Sequence, residues 1–313
     1  MASTGESVTS GFDLSGRRAV ITGANSGLGR ECARVLALRG ANVGMACRSQ
    51  ERATAVVEDF ARDMGRGVAT RCDVLPCDLT DMTSVRNLAA TLVAAGRPID
   101  VLLLNAGVSN QPYSLTADGI EATFAANYLG HFCLLHLLAD GGALAPAARI
   151  VTPLSSAVHL NPWARADIDM LTRPTDHAAR FSPLRASPST KVMLAQMALE
   201  FTRRVAGTPL AAAAFVGVCP GAVRTGNVNQ MGAWTRRLIL PLLELLLRPV
   251  TEGAAPVLWA ATDPDLAGAS GAVFNRRRQR VRLNRASADA AGAKLLWEAS
   301  KRLLGLTPWP SRA

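Results

Sequence analysis

The segment from Arg18 to Arg39 constrains the fold of this chain more than any other part of the sequence. It opens with the apolar and β-branched run Arg18–Thr22, which predicts a buried strand. The turn Gly23-Ala24-Asn25-Ser26-Gly27-Leu28-Gly29 follows at once, and Arg30–Arg39 continues as a helical stretch. Such turns also join strands to helices without any ligand. With a strand before it and a helix after it, however, this turn predicts a pyrophosphate site at the helix N-terminus.

The end of the second predicted strand bears on which dinucleotide binds. This strand, Asn42–Ala46, is followed by Cys47-Arg48-Ser49. An acidic residue about 20 positions beyond the glycines binds the ribose 2′-hydroxyl of NAD. Arg48 stands there instead, and a guanidinium attracts a 2′-phosphate. The sequence therefore favours NADP(H), the alternative being a solvated arginine at the start of the next helix.

Short polar motifs follow the later predicted strands and complete a recognisable series. They are Cys77-Asp78-Leu79-Thr80, Leu104-Asn105-Ala106-Gly107, Ser155-Ser156 and Pro220-Gly221-Ala222-Val223-Arg224-Thr225, with Asn127 in a long helix and Lys191 at the head of another. In this order and spacing the chain resembles the short-chain dehydrogenase/reductase family, specifically its retinol-dehydrogenase-like branch, from about Phe12 to Leu304. Strand–helix alternation likewise predicts an α/β fold, a single doubly wound Rossmann-type parallel sheet with helices on both faces.

The resemblance implies a role for each motif. The glycine turn would bind the pyrophosphate, Asp78 would contact the adenine, and Asn105 would brace the sheet. The loop with Pro220, Gly221 and Val223 would end in Thr225, which would hold the nicotinamide carboxamide. Asn127, Ser156 and Lys191 match three members of the family's catalytic tetrad, and Lys191 would also bind the nicotinamide ribose.

The fourth member of that tetrad is a tyrosine, and its position is occupied by Ser187. Because Pro188 follows, Ser187 is predicted to be the N-cap of a helix whose first residue is the proline. The alternative is that Ser187 donates the proton itself, or holds a water together with Lys191. At i and i+4, the two residues share a helix face.

Other groups could supply the missing acid. His159, three residues beyond Ser156, titrates near neutrality and is the preferred substitute, with a surface loop histidine as the alternative. Tyr113, in the loop after the fourth strand, is a weaker candidate. Tyr128 adjoins Asn127 on a helix and should point away from whatever Asn127 faces.

Two smaller departures from the family pattern concern the strand ends. Leu104 stands where an asparagine is usual, and Pro153 accompanies an extra residue before the serine pair. A strand tolerates proline only at a bulge or an end. Whether Ser155 or Ser156 faces the nicotinamide therefore stays open.

Composition sets the domain organisation. A chain of 313 residues that is 49% hydrophobic can bury a large core, and no linker divides it, so residues 12–313 are expected to form one domain. Residues 1–11 have no export-signal pattern and are expected to be a flexible tail. The six scattered cysteines predict reduced thiols in a cytoplasmic protein and no metal site.

The net charge of +10 is largely local. Six arginines fall between Arg276 and Arg285, after the predicted last strand Gly271–Phe274. They are interpreted as a solvated edge and loop, with an acidic lipid surface, an anionic substrate or an interface as alternatives. Nucleic acid is not favoured as a partner, because only 5% of the residues are aromatic.

A leucine-rich stretch, Leu238–Leu247, lies in the segment 226–250, which by the resemblance would close over the substrate. An apolar lid implies an apolar substrate. Ordinary helix packing and peripheral membrane contact are the alternatives, since the stretch is too short to span a membrane. Residues 287–304 predict an amphipathic helix that docks on the domain.

Two functional hypotheses follow. The first is an NADP(H)-dependent oxidoreductase that acts on an apolar carbonyl, alcohol or enone through an atypical proton path. The second is a nucleotide-binding protein of the same fold without redox turnover, either a regulatory or partner subunit or a cofactor-templated isomerase, cyclase or dehydratase. Nothing in the sequence indicates the oligomeric state.

Overall fold

A parallel sheet forms the centre of the computed structural model, which describes residues 3–109, 111–161, 164–166, 178–224 and 247–309. The strands within these residues are β1 (Arg18–Thr22), β2 (Asn42–Cys47), β3 (Cys72–Pro76), β4 (Ile99–Leu103), β5 (Leu144–Pro153), β6 (Ala214–Val218) and β7 (Val273–Phe274). Their order is β3-β2-β1-β4-β5-β6-β7, with parallel pairing throughout. The predicted doubly wound α/β fold is confirmed. The strand order reverses between β1 and β4, where such sheets open a crevice for ligands.

Helices cover both faces of the sheet. The described ones are α1 (Gly5–Val8), α2 (Gly27–Leu38), α3 (Gln50–Met64), α4 (Arg66–Ala69), α5 (Met82–Ala94), α6 (Ala122–Phe124), α7 (Gly130–Asp140), α8 (Ala157–Leu160), α9 (Pro183–Val205), α10 (Val250–Thr262) and α11 (Ala290–Leu303). The core of one face contains residues of α2, α3 and α10. The core of the other contains residues of α5, α7, α9 and α11.

Strand β1 shows why the sheet is buried on both sides. Ala19 and Ile21 belong to the core of one face, and Val20 belongs to the core of the other. Because side chains alternate along a strand, a continuous apolar run suits a strand that is covered on both faces. Thr22, the last residue of this strand, therefore lies at the switch point of the sheet.

Within the described residues, one helical stretch is long and apolar, from Ala122 to Asp140 through a π-helical turn, Ala125–Leu129. By length and composition it could cross a membrane, but 89% of it is buried inside the protein. A helix that is apolar all round is typical of a buried core position. The π turn lies where Asn127 enters the site, and π-helical turns are frequent at functional sites.

The flexible tail predicted for residues 1–11 is wrong for the described part of that segment. Thr4 and Ser7 form a capping box that begins α1, and Glu6 pairs with Arg34 at 2.6 Å. Thr9 is fully buried, and its hydroxyl donates to the carbonyl oxygen of Gly5 at 2.9 Å. The polar composition was misread because these small side chains satisfy backbone groups of a packed helix.

The arginine run lies on a hairpin beyond β7. Phe274 bridges antiparallel to Arg280, and the Val281 amide donates to Val273 at 2.8 Å. The side chains of Arg276, Arg277, Arg278, Arg280, Arg282 and Arg285 are exposed. This placement agrees with the interpretation of a solvated edge and loop.

The C-terminal helix α11 docks through one face. Leu296 and Trp297 are 0% and 1% exposed, and the guanidinium of Arg204 lies 5.0 Å from the Trp297 ring centre. The Ser300 hydroxyl lies 3.0 Å from the Tyr128 hydroxyl. This helix therefore packs against the elements that carry the candidate site.

Leu296→Ala should lower the free energy of unfolding by about 2–5 kcal/mol, because it removes a fully buried side chain and leaves a cavity. Leu295→Ala is the matched control, since the neighbouring Leu295 is 63% exposed. Urea unfolding of both variants would test this. Equal losses would contradict the docking of α11 described above.

Candidate active site

The glycine turn is shaped for a phosphate. Strand β1 ends at Thr22, and α2 begins at Gly27 without a hydrogen bond from the Ser26 side chain to its first turn. A Cβ on Gly29 would lie 2.4 Å from the Gly23 carbonyl oxygen, so only glycine allows this closeness. The first-turn N–H groups of α2 have no acidic neighbour in that turn. Such a helix N-terminus fits a pyrophosphate.

Asn105 ties the end of β4 to the end of β1. Its Nδ2 donates to the Thr22 carbonyl oxygen at 2.9 Å, and its backbone N–H donates to the Thr22 hydroxyl oxygen at 2.9 Å. The Ala106 N–H donates to the same hydroxyl oxygen at 3.0 Å. The bracing role expected for Asn105 has this geometric basis.

Arg48 and Asp78 lie beyond neighbouring strands. Arg48 comes directly after β2, and its side chain is exposed. Asp78 lies just beyond β3, and its Oδ1 accepts from the Thr80 N–H at 2.9 Å and hydroxyl at 2.7 Å. Carboxyl ends of parallel strands share one edge of the sheet, so both residues flank the adenosine side of the predicted dinucleotide site.

Asn127 is buried and fully hydrogen-bonded. Its Oδ1 accepts from the Val108 N–H at 2.7 Å, and its Nδ2 donates to the Val108 carbonyl oxygen at 2.9 Å and the Thr190 hydroxyl oxygen at 3.1 Å. Thr190 directly precedes Lys191. Asn127 therefore fixes the loop after β4 and the lysine-bearing helix relative to each other.

Lys191 lies beside Asn127 in the middle of α9, and not at the head of the helix as predicted. Its Nζ donates to the Pro153 carbonyl oxygen at 2.8 Å. A Cβ on Gly107 would lie 3.2 Å from Asn127 Oδ1 and 3.8 Å from Lys191 Nζ, so Gly107 leaves room for both. Burial lowers the pKa of Lys191 to about 8, and the interaction with Cys219 opposes this shift.

The end of β5 contacts this lysine through the Pro153 carbonyl oxygen, and a second group of polar side chains follows it. Pro153 is the last residue of β5, as a strand proline requires, and Ser156 is exposed at the start of α8. Ser155 is half-buried, and its hydroxyl oxygen accepts from the Ala157 N–H at 3.3 Å. Its carbonyl oxygen accepts the Cys219 thiol at 3.3 Å.

His159 is half-buried, and its Nδ1 lies 3.8 Å from the Cys219 sulfur. Burial lowers the pKa of His159 below its ordinary value. Cys219 was missed by sequence reasoning, although its position directly before Pro220-Gly221 could have indicated it.

The loop after β6 continues the site. Gly221 has a φ of 83°, and Val223 forms a bridge with Arg248. A Cβ on Gly253 would lie 2.5 Å from a Val223 methyl carbon, so Val223 packs on α10. Thr225 and the leucine-rich segment up to residue 246 lie outside the described residues.

Comparisons with known proteins agree with this arrangement. Residues 17–166 match the family model described as short chain dehydrogenase. The chain is 36% identical to a WW domain-containing oxidoreductase from Danio rerio, over 94% of this chain and 70% of that protein. It is 31% identical to Retinol dehydrogenase 13 from Homo sapiens, over 97% of this chain and 89% of that protein. The chain belongs to the short-chain dehydrogenase/reductase family.

A solved structure supports the same assignment. An uncharacterized protein from Mycobacterium paratuberculosis has a TM-score of 0.71 and 31% sequence identity, with 98% of each chain covered. With the retinol dehydrogenase relative, these matches confirm the predicted retinol-dehydrogenase-like branch. Members of this oxidoreductase family bind a nicotinamide cofactor.

The prediction that Ser187 caps a helix is wrong. Helix α9 begins five residues earlier, with Ser182 as its N-cap residue and Pro183 as its first residue. Ser187 and Pro188 therefore lie inside α9, where the Ser187 carbonyl oxygen accepts from the Thr190 hydroxyl at 2.8 Å. Proline in a helix interior removes a hydrogen bond to the residue four positions before it, which is the exposed Leu184. In this short-chain dehydrogenase, Ser187 and Lys191 thus lie on one continuous helix.

The two tyrosines lie in different surroundings. Tyr128 is buried against Ser300, which agrees with the prediction that it points away from the Asn127 side, and burial raises its pKa. Tyr113 packs its ring against Phe181, with 5.3 Å between ring centres.

The buried charge of Lys191 predicts a pH-dependent stability. Because the pKa of Lys191 is about 8 in the folded chain and about 10.4 in an unfolded one, the unfolded state binds more protons between these values. The wild type should therefore gain stability relative to Lys191→Met as pH rises from 8 to 10.

Urea unfolding at pH 8, 9 and 10 would measure this difference. Lys294→Met is the control, because Lys294 is exposed and its charge stays in water. A constant difference between wild type and Lys191→Met across this range would contradict the burial of the lysine charge.

Proposed function

We propose that this chain is an NADP(H)-dependent oxidoreductase that acts on an apolar carbonyl, alcohol or enone without a tyrosine acid. The observation that carries the proposal is that Asn127 and Lys191 both approach Gly107, at the same edge of the sheet as the glycine turn, while Asn127 bonds to Thr190 beside the lysine. A protein that only stored a nucleotide would have no need of a buried lysine at the nicotinamide side. Lys191 is retained there although its burial disfavours its charge.

The choice of NADP(H) rests on Arg48. Its exposed guanidinium follows β2, where an acidic residue would otherwise bind the ribose 2′-hydroxyl. A planar guanidinium binds a phosphate through two parallel hydrogen bonds. The described first turn of α3 supports this placement, since Ser49 caps it through the Arg52 N–H at 3.3 Å and holds Arg48 at the edge of the sheet.

When bound, the nicotinamide supplies or accepts the hydride, and residues of the chain position the cofactor and the substrate. Asn127 holds the loop after β4 against α9, so that Lys191 keeps a fixed position. Lys191 would bind the nicotinamide ribose, and its charge would stabilise an oxyanion nearby. A hydroxyl of the Ser155-Ser156 pair would orient the substrate oxygen.

The unusual part of this mechanism is the group that exchanges a proton with the substrate. A serine hydroxyl at position 187 is shorter and much less acidic than a phenol, so Ser187 is better suited to hold a water than to donate a proton. His159 is the stronger candidate, because its Nδ1 lies 3.8 Å from the sulfur of Cys219, which interacts electrostatically with Lys191. The pKa of His159 is lowered, so at neutral pH the imidazole is poised to accept a proton from an alcohol.

The second candidate is a nucleotide-binding protein without redox turnover. It is favoured by one observation, the interior position of Ser187 in α9, which places a residue with no useful acidity where the family carries its acid. The two candidates differ in one measurement, the oxidation of bound NADPH by an apolar carbonyl compound.

The wild type should bind NADPH more tightly than NADH. Arg48→Asp should lower the affinity for NADPH by about 10-fold or more, because a charge-assisted pair is lost. NADH affinity should change little. Isothermal calorimetry with both cofactors measures this. Arg66→Asp is the control, since Arg66 is also exposed but lies beyond the far end of α3. Equal affinities of the wild type for the two cofactors would contradict the proposal.

Ser187→Tyr should create or strengthen reduction of apolar ketones, quinones or enones, by up to about 10²–10⁴-fold, because it places a phenol one helical turn from Lys191. Since Pro188 lies inside the continuous helix, no change at Pro188 is needed to align the new side chain. The measurement is loss of NADPH absorbance over a substrate panel.

Ser187→Phe is the matched control for this experiment, because it adds the same ring without the hydroxyl. A gain that the phenylalanine variant shares would be an effect of packing and not of acidity. If the tyrosine variant binds NADPH and neither it nor the wild type reduces any compound, the non-redox candidate replaces the oxidoreductase.

A further inference from the structure

Cys219 is buried at the centre of the polar groups on the nicotinamide side. It is 4% exposed, and its backbone N–H donates to Phe274 at 2.8 Å, so the end of β7 fixes its position. Its thiol contacts the Ser155 carbonyl oxygen at 3.3 Å and His159 Nδ1 at 3.8 Å, and its sulfur is close enough to Lys191 to affect the lysine charge. The Cys219 side chain thus contacts the segment after β5 at two points, Ser155 and His159.

The thiol has a single proton, which decides the direction of these contacts. The shorter contact is to the Ser155 carbonyl oxygen, which can only accept, so the thiol proton lies there. The sulfur is then the acceptor for His159, and the proton of the neutral imidazole lies on Nδ1. Burial raises the pKa of Cys219 to about 12, which keeps this proton on the sulfur at neutral pH.

We propose that Cys219 is a positioning residue that holds His159 in the Nδ1–H tautomer and leaves Nε2 free to exchange the proton of the substrate hydroxyl. The proposal rests on the oxidoreductase function proposed above. Among the residues that the structure describes, Nε2 of His159 has no hydrogen-bond partner. An imidazole held at one nitrogen acts as a base through the other.

The proton and the electrons balance in this scheme. In alcohol oxidation the O–H proton goes to His159 Nε2, and the C–H bond breaks as its hydride goes to the oxidised nicotinamide. The carbonyl double bond forms from the oxygen electron pair. The imidazolium then releases its proton to water, which reaches it because His159 is only half-buried. Carbonyl reduction follows the same steps in reverse.

Burial favours the neutral form of His159, because it lowers the pKa of the imidazole. Lys191, on α9, interacts electrostatically with Cys219. The loop that carries the exposed Arg282 and Arg285 packs on α8, because the Asn284 N–H donates to Val158 at 2.9 Å. Because burial disfavours the charged imidazole, a neutral, directional imidazole suits the site better than a permanent cation.

The tautomer can be read without any substrate. The chain has four histidines, so nitrogen NMR of histidine-labelled protein resolves few signals, and His159→Gln assigns the relevant one. We expect the Nδ1–H tautomer in the wild type and a shift toward Nε2–H in Cys219→Ala. Cys219→Ser should restore Nδ1–H, since its hydroxyl can donate to Ser155 and accept from His159. Cys133→Ala, at another buried cysteine, should change nothing.

Two results would overturn the role of Cys219: the Nε2–H tautomer in the wild type, or the same tautomer in wild type and Cys219→Ala. Turnover gives a second readout. His159→Gln should lower kcat by about 10²-fold or more. Cys219→Ala should lower it by about 10-fold, the lower end of the cost of removing a group that orients an imidazole at metal sites. NADPH affinity should be unchanged in both.

An unaltered kcat in Cys219→Ala would also contradict the proposal. If the wild type binds NADPH and turns over no compound, the oxidoreductase function fails, and the NMR result alone decides whether Cys219 orients His159.

Discussion

The rest of the site depends on the hydrogen bonds of the Thr22 hydroxyl. This hydroxyl accepts the backbone N–H groups of Asn105 and Ala106, and it lies 2.9 Å from Nε2 of the buried His131. The other nitrogen of His131 lies 3.1 Å from the Asn127 carbonyl oxygen. One hydroxyl at the end of β1 thus links the glycine turn, the loop after β4 and the π-helical turn. Burial lowers the pKa of His131 to about 4, so this link stays neutral and both ring nitrogens remain available for it.

The two halves of the site lie on opposite sides of the Thr22 hydroxyl. Toward the adenosine side, the sheet presents the uncapped first turn of α2 and then the exposed Arg48. Toward the nicotinamide side, Asn127 reaches Thr190 and thereby sets the position of Lys191 on α9. Burial disfavours the charge of Lys191, and strongly shifted pKa values cluster at functional sites.

The sequence predicted the framework because the framework depends on local patterns. The run Arg18–Thr22 was predicted as a strand with the bounds that β1 has, and Arg48 lies at the strand end where the spacing put it. The start of α9 was placed wrongly for an equally local reason. Ser182-Pro183 and Ser187-Pro188 carry the same N-cap signature, and nothing in either pair decides between them.

Long-range contacts decide where α9 begins. The bond of Thr190 to Asn127, 63 positions away, anchors α9 beyond the second proline, so the helix can begin at the first. The pairing of Cys219 with His159 joins residues 60 positions apart and leaves no periodic trace in the sequence. Strand and turn chemistry can be read from neighbours in the chain, whereas the proton path depends on which distant loops meet.

The docking of α11 also sets how late in synthesis the fold of this protein can be completed. Tyr128, the neighbour of Asn127, bonds to Ser300, which leaves the ribosome 172 residues later. Until then the aromatic face of α7, including Phe132 and its contact with Trp297 at 4.9 Å between ring centres, has no cover. A nascent chain with its sheet already formed would expose this face, and chaperones that bind apolar surface would find it there until α11 has been synthesised.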